Sequence, residues 1–313
     1  MESIEINEFK NLPNGENIHQ LAVLSEISDG LEYEIIGDEE NLTYIDYLDL
    51  TKTVEVLAEF FDVNASALSK ESRLCAVALG SSVEVAFEKI VESDPLSLTG
   101  GTIGFSKEVT LETVMQINAM KIRNIIATSY SKDALEYLQK HTQINIIKIT
   151  SPLQELLGFN TKDIKVTPFG YLIQEQNTSK LTKSSFKVAG KTKPTQQQAE
   201  DAIFAWKIAK YTNSKSAIIV KDLATKAIVQ SAGILADAVE NAMDIACENS
   251  KEAVLAVDGV IEQKEVIHAA IQGRIGLIIE SGDSEDSPKI ISLADKYNIS
   301  MIHTGIRNYR YWK

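Results

Sequence analysis

The sequence has few cysteines, with only Cys75 and Cys247 among its 313 residues. Both stand in apolar surroundings, which is more typical of buried, reduced thiols than of a disulfide framework. Long hydrophobic runs are also absent, since none approaches the ~20 residues of a membrane-spanning helix, and the N-terminus lacks a basic segment followed by an apolar one. We therefore expect a cytoplasmic protein that is neither exported nor inserted into a membrane.

Basic residues are in deficit, with 31 Lys and Arg against 44 Asp and Glu, a formal charge of −13 and a pI near 4.9. Phosphate-rich partners are bound mainly by clustered Lys and Arg, so this balance argues against a nucleic-acid or anionic-membrane surface. One local exception is the lysine-rich stretch 180–193, whose lysines are Lys180, Lys183, Lys187, Lys191 and Lys193. It is interpreted either as a solvated loop or as a dock for an anionic ligand or partner.

Several common site motifs are missing. The glycines from Gly100 to Gly104 lack the spacing of a dinucleotide-binding loop, and no Gly-Lys-Ser/Thr phosphate loop occurs. The His-x-Glu and Cys-x-x-Cys ligands of zinc deaminases are absent, and the four histidines are scattered. The sequence therefore predicts no metal site, and metal-based deamination is not expected.

The segments that are present alternate between helical and strand patterns, which is typical of an α/β protein. The central stretch starts at Pro194, where Thr195 and Gln198 form a capping-box pattern, and predicts a core helix followed by the buried strand Ala217–Val220. Residues 1–40 are predicted to be irregular. Residues 165–187 are predicted to form a hairpin in which 171–173 and 185–188 flank a polar turn.

Five segments carry a resemblance to a known family. They are the core-helix segment Ala202–Lys210, Gly15–Gln20, Leu42–Leu50, Asp94–Gly101 and Ile299–Tyr311. In their order along the chain they resemble segments of the AICAR transformylase domain of the bifunctional purine biosynthesis enzyme, which formylates AICAR and closes the ring to IMP. The resemblance implies an α/β fold of two cytidine-deaminase-like three-layer halves with mixed sheets, which we divide at 1–190 and 191–313. It also implies a homodimer with sites formed between subunits.

The resemblance further implies a site that this sequence has lost in part. Formyl transfer from formyl-tetrahydrofolate to a poor amine nucleophile needs a proton acceptor and oxyanion stabilisation. In the family these come largely from a Lys-His pair in a loop between a strand and a helix. Here Arg73–Val77 and Ala78–Ser82 match the two flanks, and the loop between them is deleted. At two anion-binding positions of the family this chain has Pro13 and Asp237.

Three family site positions are kept. Asp258 is the candidate catalytic acid or base, and its alternative is a turn aspartate before Gly259. Gly100 and Arg307 are the candidate substrate-binding residues, although Arg307 is equally interpreted as the partner of a surface acid. The acidic turn 280–286 is expected to border this site, so that a neutral or cationic group is accepted better than a phosphomonoester.

Two functional hypotheses remain open. One is a pseudoenzyme of purine metabolism that keeps the fold and acts as a regulatory or structural partner, without a cofactor. The other is an active formyltransferase with an altered site, which would use formyl-tetrahydrofolate. For either we expect a homodimer or a complex with an active transformylase relative, and neither nucleic acid nor a membrane as a partner. Because the family's cyclohydrolase domain is not in this sequence, we expect no ring closure by this chain.

Overall fold

A computed structural model describes residues 9–25, 30–141, 143–158, 162–182 and 185–311. Lys183 of the lysine-rich stretch, and Ser28 and Asp29 of the segment predicted to be irregular, lie outside the described residues. The chain folds into two compact units. Unit 1 comprises 1–73, 81–87 and 95–178, and unit 2 comprises 74–80, 88–94 and 179–313. The predicted division at 190/191 stays a prediction.

Strands and helices alternate along most of the described chain. The strands are β1 (Phe9–Leu12), β2 (Ala22–Ser25), β3 (Tyr33–Ile36), β4 (Ala65–Lys70), β5 (Arg73–Leu79), β6 (Thr102–Phe105), β7 (Asn124–Ala127), β8 (Asn145–Ile149), β9 (Lys162–Thr167), β10 (Gly170–Glu175), β11 (Lys187–Ala189), β12 (Ala217–Lys221), β13 (Ala224–Val229), β14 (Val254–Val257), β15 (Leu277–Glu280) and β16 (Ser300–His303). The helices are α1 (Tyr44–Ala58), α2 (Val83–Ser93), α3 (Leu111–Asn118), α4 (Lys132–His141), α5 (Gln196–Ala209), α6 (Leu235–Ala246), α7 (Lys264–Gln272) and α8 (Ser287–Lys296). This confirms the predicted α/β class.

Unit 1 contains a mixed sheet in the order β4, β6, β7, β8, β3. Strands β6, β7 and β8 are parallel, whereas β4 and β3 are antiparallel to their neighbours. Helix α1 packs against β4 and β6. Helix α1 approaches β6 closely. A Cβ added to Gly104 would lie only 2.3 Å from Cγ2 of Thr53. Two further antiparallel pairs, β1 with β2 and β9 with β10, stand outside this sheet.

In unit 2 the strands are also mixed in direction: β14, β15 and β16 are parallel, and β12 is antiparallel to β13 and β14. Ala217 and Ile219 of β12 belong to a buried cluster with α6, α7 and α8. Helix α5 packs against β12, β14 and β15, and successive strand residues point to opposite faces. The unit therefore has helices on both faces of its sheet, as the three-layer prediction requires.

The predicted central helix is confirmed as α5. Thr195 accepts from the Gln198 N–H at 3.1 Å, and the Gln198 side chain accepts from the Thr195 N–H at 3.0 Å, which completes the capping box. Phe204, Trp206 and Ile208 are all buried, so the helix is covered around most of its circumference. It leads to the fully buried start of β12.

Three sequence predictions are wrong. The stretch 1–40 is not irregular throughout, because β1, β2 and β3 lie within it. Strand β10 pairs with β9 across the turn at Pro168 and Phe169, whereas 187–189 pair with β16. The alternating sequence of β9 was the missed signal. Cys247 is exposed and Cys75 only partly buried, because Cys247 follows the end of α6; neither forms a disulfide within the described residues.

No helix among the described residues is both long and apolar enough to cross a membrane.

Candidate functional site

Three parallel strands of unit 2 end at one edge of its sheet. In β14 and β15, Ala256 lies opposite Ile279, and in β15 and β16, Glu280 lies opposite His303. Asp258 directly follows β14, while Glu280 and His303 are the last residues of their strands. The carboxyl ends of parallel strands are where α/β proteins usually bind ligands. The strand ends therefore bring an aspartate, a glutamate and a histidine to the same edge.

Asp258 is 1% exposed and linked to two other segments of the unit. Its Oδ1 accepts from the Ser216 N–H at 3.0 Å, and its carbonyl oxygen accepts from the Asn308 N–H at 2.8 Å. Its Oδ2 is buried and has no hydrogen-bond partner among the described residues. A buried carboxylate oxygen without a partner is costly, which leaves Oδ2 as the natural acceptor for a donor group of a ligand.

Glu280 and His303 form a buried pair that the sequence did not reveal. Oε2 of Glu280 accepts from the Ile261 N–H at 2.6 Å, and Oε1 lies 3.2 Å from Nε2 of His303. Within the described part of the chain, neither Oε1 nor Nε2 has a partner in hydrogen-bond geometry, so the two atoms are close without forming a well-aligned hydrogen bond. Glu280 is fully buried and the His303 side chain is 14% exposed. A carboxylate that orients an imidazole is an arrangement used in proton transfer.

Two glycines allow aromatic rings to close over this edge. Gly282 has a φ of +79°, and a Cβ there would lie 2.1 Å from Cγ of His303. A Cβ on Gly259 would lie 2.1 Å from Cε1 of Tyr309. The Tyr309 hydroxyl accepts from the Val260 N–H at 3.4 Å. These contacts fix the rings of His303 and Tyr309 against the strand ends.

Arg307 belongs to the same edge, because the next residue, Asn308, donates to the Asp258 carbonyl. Its guanidinium is engaged by Asp283, with Nε at 2.8 Å and Nη2 at 2.6 Å from Oδ2. The hydrogen bond from Arg307 is the main cause that holds the pKa of Asp283 below its ordinary value. Both side chains are about half exposed, so the pair adds little to stability. An anion that binds Arg307 must compete with Asp283.

The acidic turn is less negative than its sequence suggested. Glu280 faces His303, Asp283 faces Arg307, and Asp286 accepts from Lys289 Nζ at 2.7 Å. The sequence predicts that the four carboxylates of this turn disfavour a phosphate unless cations neutralise them, and Asp283 and Asp286 have such cationic partners. Exclusion of phosphate therefore rests on competition for Arg307 more than on the net charge of the turn.

Gly100 belongs to unit 1, whereas Asp258 and Arg307 belong to unit 2. Gly100 has a φ of +77°, and its N–H donates to the Lys121 carbonyl at 3.0 Å just before β6. A left-handed conformation of this kind favours glycine. The turn accounts for Gly100 structurally, and its role in substrate binding stays a prediction.

Arg123 of unit 1 has a structural role. Its Nε and Nη2 donate to the two oxygens of the buried Asp46 at 2.7 and 2.8 Å. Asn124 adds a third donor at 2.7 Å. Burial raises the pKa of Asp46, but the bonds from Arg123, Asn124 and Thr43 outweigh it and hold that pKa below its ordinary value.

The connection from β5 to α2 consists of Gly80, Ser81 and Ser82. Three residues leave no room for an added loop, and none of them is basic. Across the described residues, no group of three or more His, Cys, Asp or Glu side chains is placed to hold a metal ion.

The fold and this edge define an α/β protein with mixed sheets and a polar cluster at parallel strand ends. A model of the AICARFT/IMPCHase bienzyme family matches residues 1–244. The chain belongs to this family. It resembles the bifunctional purine biosynthesis protein PurH of Caldicellulosiruptor saccharolyticus, with 31% identity over 315 residues, 99% of this chain and 60% of that protein. The corresponding PurH proteins of Aquifex aeolicus and Dictyostelium discoideum are each 30% identical and are covered to 61% and 58%. The chain thus spans about three fifths of the length of these relatives.

Proposed function

We propose that this chain is a catalytically defective member of the family that serves purine biosynthesis as a regulatory or structural partner. The observation that carries the proposal is the three-residue connection between β5 and α2. The resemblance places the Lys-His loop of the family at this point, and here the chain has Gly80, Ser81 and Ser82. Without that pair, the family's proton acceptor and part of its oxyanion stabilisation are missing.

The state of the retained residues supports the same conclusion. Arg307 is engaged by Asp283, so the phosphate of a nucleotide substrate has no open guanidinium at this position. Arg123 is committed to Asp46. Among the described residues, Asp258 has one carboxylate oxygen without a partner, but that oxygen is buried and the other accepts from the Ser216 N–H. A neutral ligand that donates a hydrogen bond fits these groups better than a phosphomonoester.

The test is a formyl-transfer assay with AICAR and formyl-tetrahydrofolate, in which the Caldicellulosiruptor saccharolyticus relative serves as the comparison protein. We expect no turnover above the buffer blank for this chain. Turnover that disappears in Asp258→Asn but persists in Asp237→Asn, whose side chain lies on α6, would overturn the proposal. A thermal-shift comparison of AICAR, IMP and formyl-tetrahydrofolate then shows whether the chain still binds any of them.

An active formyltransferase with an altered site is the second candidate, and the buried Glu280–His303 pair favours it. An imidazole whose Nε2 lies 3.2 Å from a buried carboxylate oxygen is a candidate general base, and it would take over the task of the missing loop. In that case formyl-tetrahydrofolate is the cofactor, whereas the defective protein needs none. Turnover that is lost in His303→Gln with the fold intact would establish this candidate.

As partners, we propose a second copy of this chain, with an active transformylase relative as the alternative. We further propose a cytoplasmic location, consistent with a role in purine biosynthesis. Because the composition is acidic, we propose that neither nucleic acid nor an anionic membrane is a partner.

A further inference from the structure

The hairpin formed by β9 and β10 carries its apolar face on the outside. Paired residues across the two strands share a face, so Ile164 with Ile173 and Val166 with Tyr171 form one surface. Val166 is 72% exposed, Tyr171 69% and Ile173 55%. Phe169, in the turn, is 99% exposed. We call this surface, with Ile164, Val166, Phe169, Tyr171 and Ile173, the hairpin face.

The opposite face of the hairpin is mostly polar and bonded within itself, although it also carries Leu172, which is 58% exposed. Asp163 accepts from Lys165 and from Gln174 Nε2, the latter at 2.8 Å. Asp163, Lys165 and Thr167 are only partly exposed, whereas every residue of β10 is exposed. The usual placement of apolar side chains inward and polar ones outward is therefore inverted. Since a two-stranded hairpin is marginal in water by itself, such a face indicates a surface that is covered in the working protein.

We propose that the hairpin face binds the same face of a second copy of this chain. The charges at its open end favour this occupant. Lys162 and Glu175 are register partners there, and both are exposed. A two-fold axis that runs along the hairpin places β9 of one copy over β10 of the other. Lys162 of each copy then lies over Glu175 of its partner, so the surface is complementary to itself in charge as well as in apolar character.

The size of the face is also adequate as the centre of an interface. An aromatic side chain buries about 150–250 Å² when it is covered. Phe169 and Tyr171 therefore supply a large part of the roughly 800 Å² per partner that a stable interface buries. Ile164, Val166 and Ile173 lie between the aromatic tip and the charged end, as expected for an apolar centre with a polar rim.

Two neighbouring residues of β10 allow a matched test. Ile173→Lys places a charge in the hairpin face, and Gln174→Lys places the same charge on the polar face, beside Asp163. Light scattering at micromolar concentration should give twice the 34.5 kDa chain mass for the wild type and Gln174→Lys, and the single chain mass for Ile173→Lys. Circular dichroism checks that each variant is folded, and Tyr171→Lys replaces Ile173→Lys if the latter is not.

This inference rests on the proposed self-association, and the outcomes separate the two. A monomeric wild type overturns self-association together with the hairpin interface, and leaves an active relative as the possible partner. A dimeric Ile173→Lys or Tyr171→Lys overturns the hairpin interface alone. Neither result depends on formyl transfer, so a measured transformylase activity would leave the interface proposal standing.

Mixing tests the two-fold arrangement. At low ionic strength, Lys162→Glu and Glu175→Lys should each dimerise several-fold more weakly than the wild type, because like charges then face each other across the axis. An equimolar mixture should regain dimer, since the acidic end of one variant meets the basic end of the other. If the mixture dimerises no more tightly than either variant alone, this two-fold arrangement is wrong.

Discussion

Asp49 and Asp201 are the sixth residues of α1 and α5, and each accepts hydrogen bonds from both residues of a hairpin turn. Asp49 accepts from Ser72 at 2.6 Å and from Glu71 at 3.2 Å. Asp201 accepts from Leu223 at 2.7 Å and from Asp222 at 3.1 Å. All four turn residues have positive φ values between 53° and 62°. Both helices also begin with a capping box. Each half of the chain therefore contains the same arrangement, in which an aspartate of a capped helix accepts hydrogen bonds from a hairpin turn.

Because Asp201 satisfies two backbone donors in a strained turn, its removal should destabilise the protein. We expect Asp201→Ala to lower the free energy of unfolding by about 2 kcal/mol, since two N–H groups lose their acceptor. Gln196→Ala, at the exposed start of the same helix, should change it by less than about 0.5 kcal/mol. Urea unfolding followed by circular dichroism measures both. Equal stability of the two variants would contradict a structural role for Asp201.

Asp49 should make stability fall as the pH rises from about 4 to about 7. Burial raises its pKa to about 6, against the opposing bonds from Ser72 and Glu71. Between its unfolded and folded pKa values, the folded state holds the proton more tightly, so folding is favoured at the acidic end of this window and the advantage is lost above pH 6. Relative to Asp49→Asn, the wild type should lose about 2 kcal/mol over this window. The prediction would be refuted if the free energy of unfolding changed with pH by the same amount in the wild type and in Asp49→Asn.

Gly282 should tolerate alanine poorly, for two separable reasons. Its φ of +79° strains any side chain, and a Cβ would overlap the ring of His303. We expect Gly282→Ala to cost about 2 kcal/mol or more, whereas Gly305→Ala, at a φ of +69° with open space around it, should cost only about 1 kcal/mol. The double variant Gly282→Ala/His303→Ala should recover the part of the lost stability that comes from overlap with the His303 ring. If the two glycine variants unfold at the same denaturant concentration, His303 does not pack as described.

Removal of Asp283 should open Arg307 to an anion. In Asp283→Asn the guanidinium loses its internal carboxylate, and we expect the monophosphate AICAR to bind about tenfold tighter than to the wild type. The parent ribonucleoside should be unaffected, and the double variant with Arg307→Ala should lose the gain. Calorimetry measures the affinity of the wild type, Asp283→Asn and the double variant for each of the two compounds. If the wild type already binds the monophosphate better than the ribonucleoside and Arg307→Ala abolishes that preference, the competition argument is wrong.

The α/β class and most of the regular elements follow from local signals in the sequence. The helical spacing of Leu50, Val54, Leu57, Ala58 and Phe61 predicts α1, and the capping pattern at Thr195 predicts the start of α5. These signals are local, so no tertiary information is needed to interpret them. The same local reasoning did not identify β4 and β13, because alanine and lysine, which are depleted in strands, make up half of each segment. It also paired β10 with the wrong strand, because pairing depends on register and turn geometry beyond a single segment.

The tertiary structure alone decided how the polar groups meet. Glu280 and His303 are 23 residues apart and come together because β15 and β16 are parallel and end in register. Nothing in either segment indicates the other. Asp283 and Arg307 meet for the same reason, which converts a candidate anion-binding arginine into one half of an ion pair. Sequence determines which residues can act, whereas strand register determines which of them face each other.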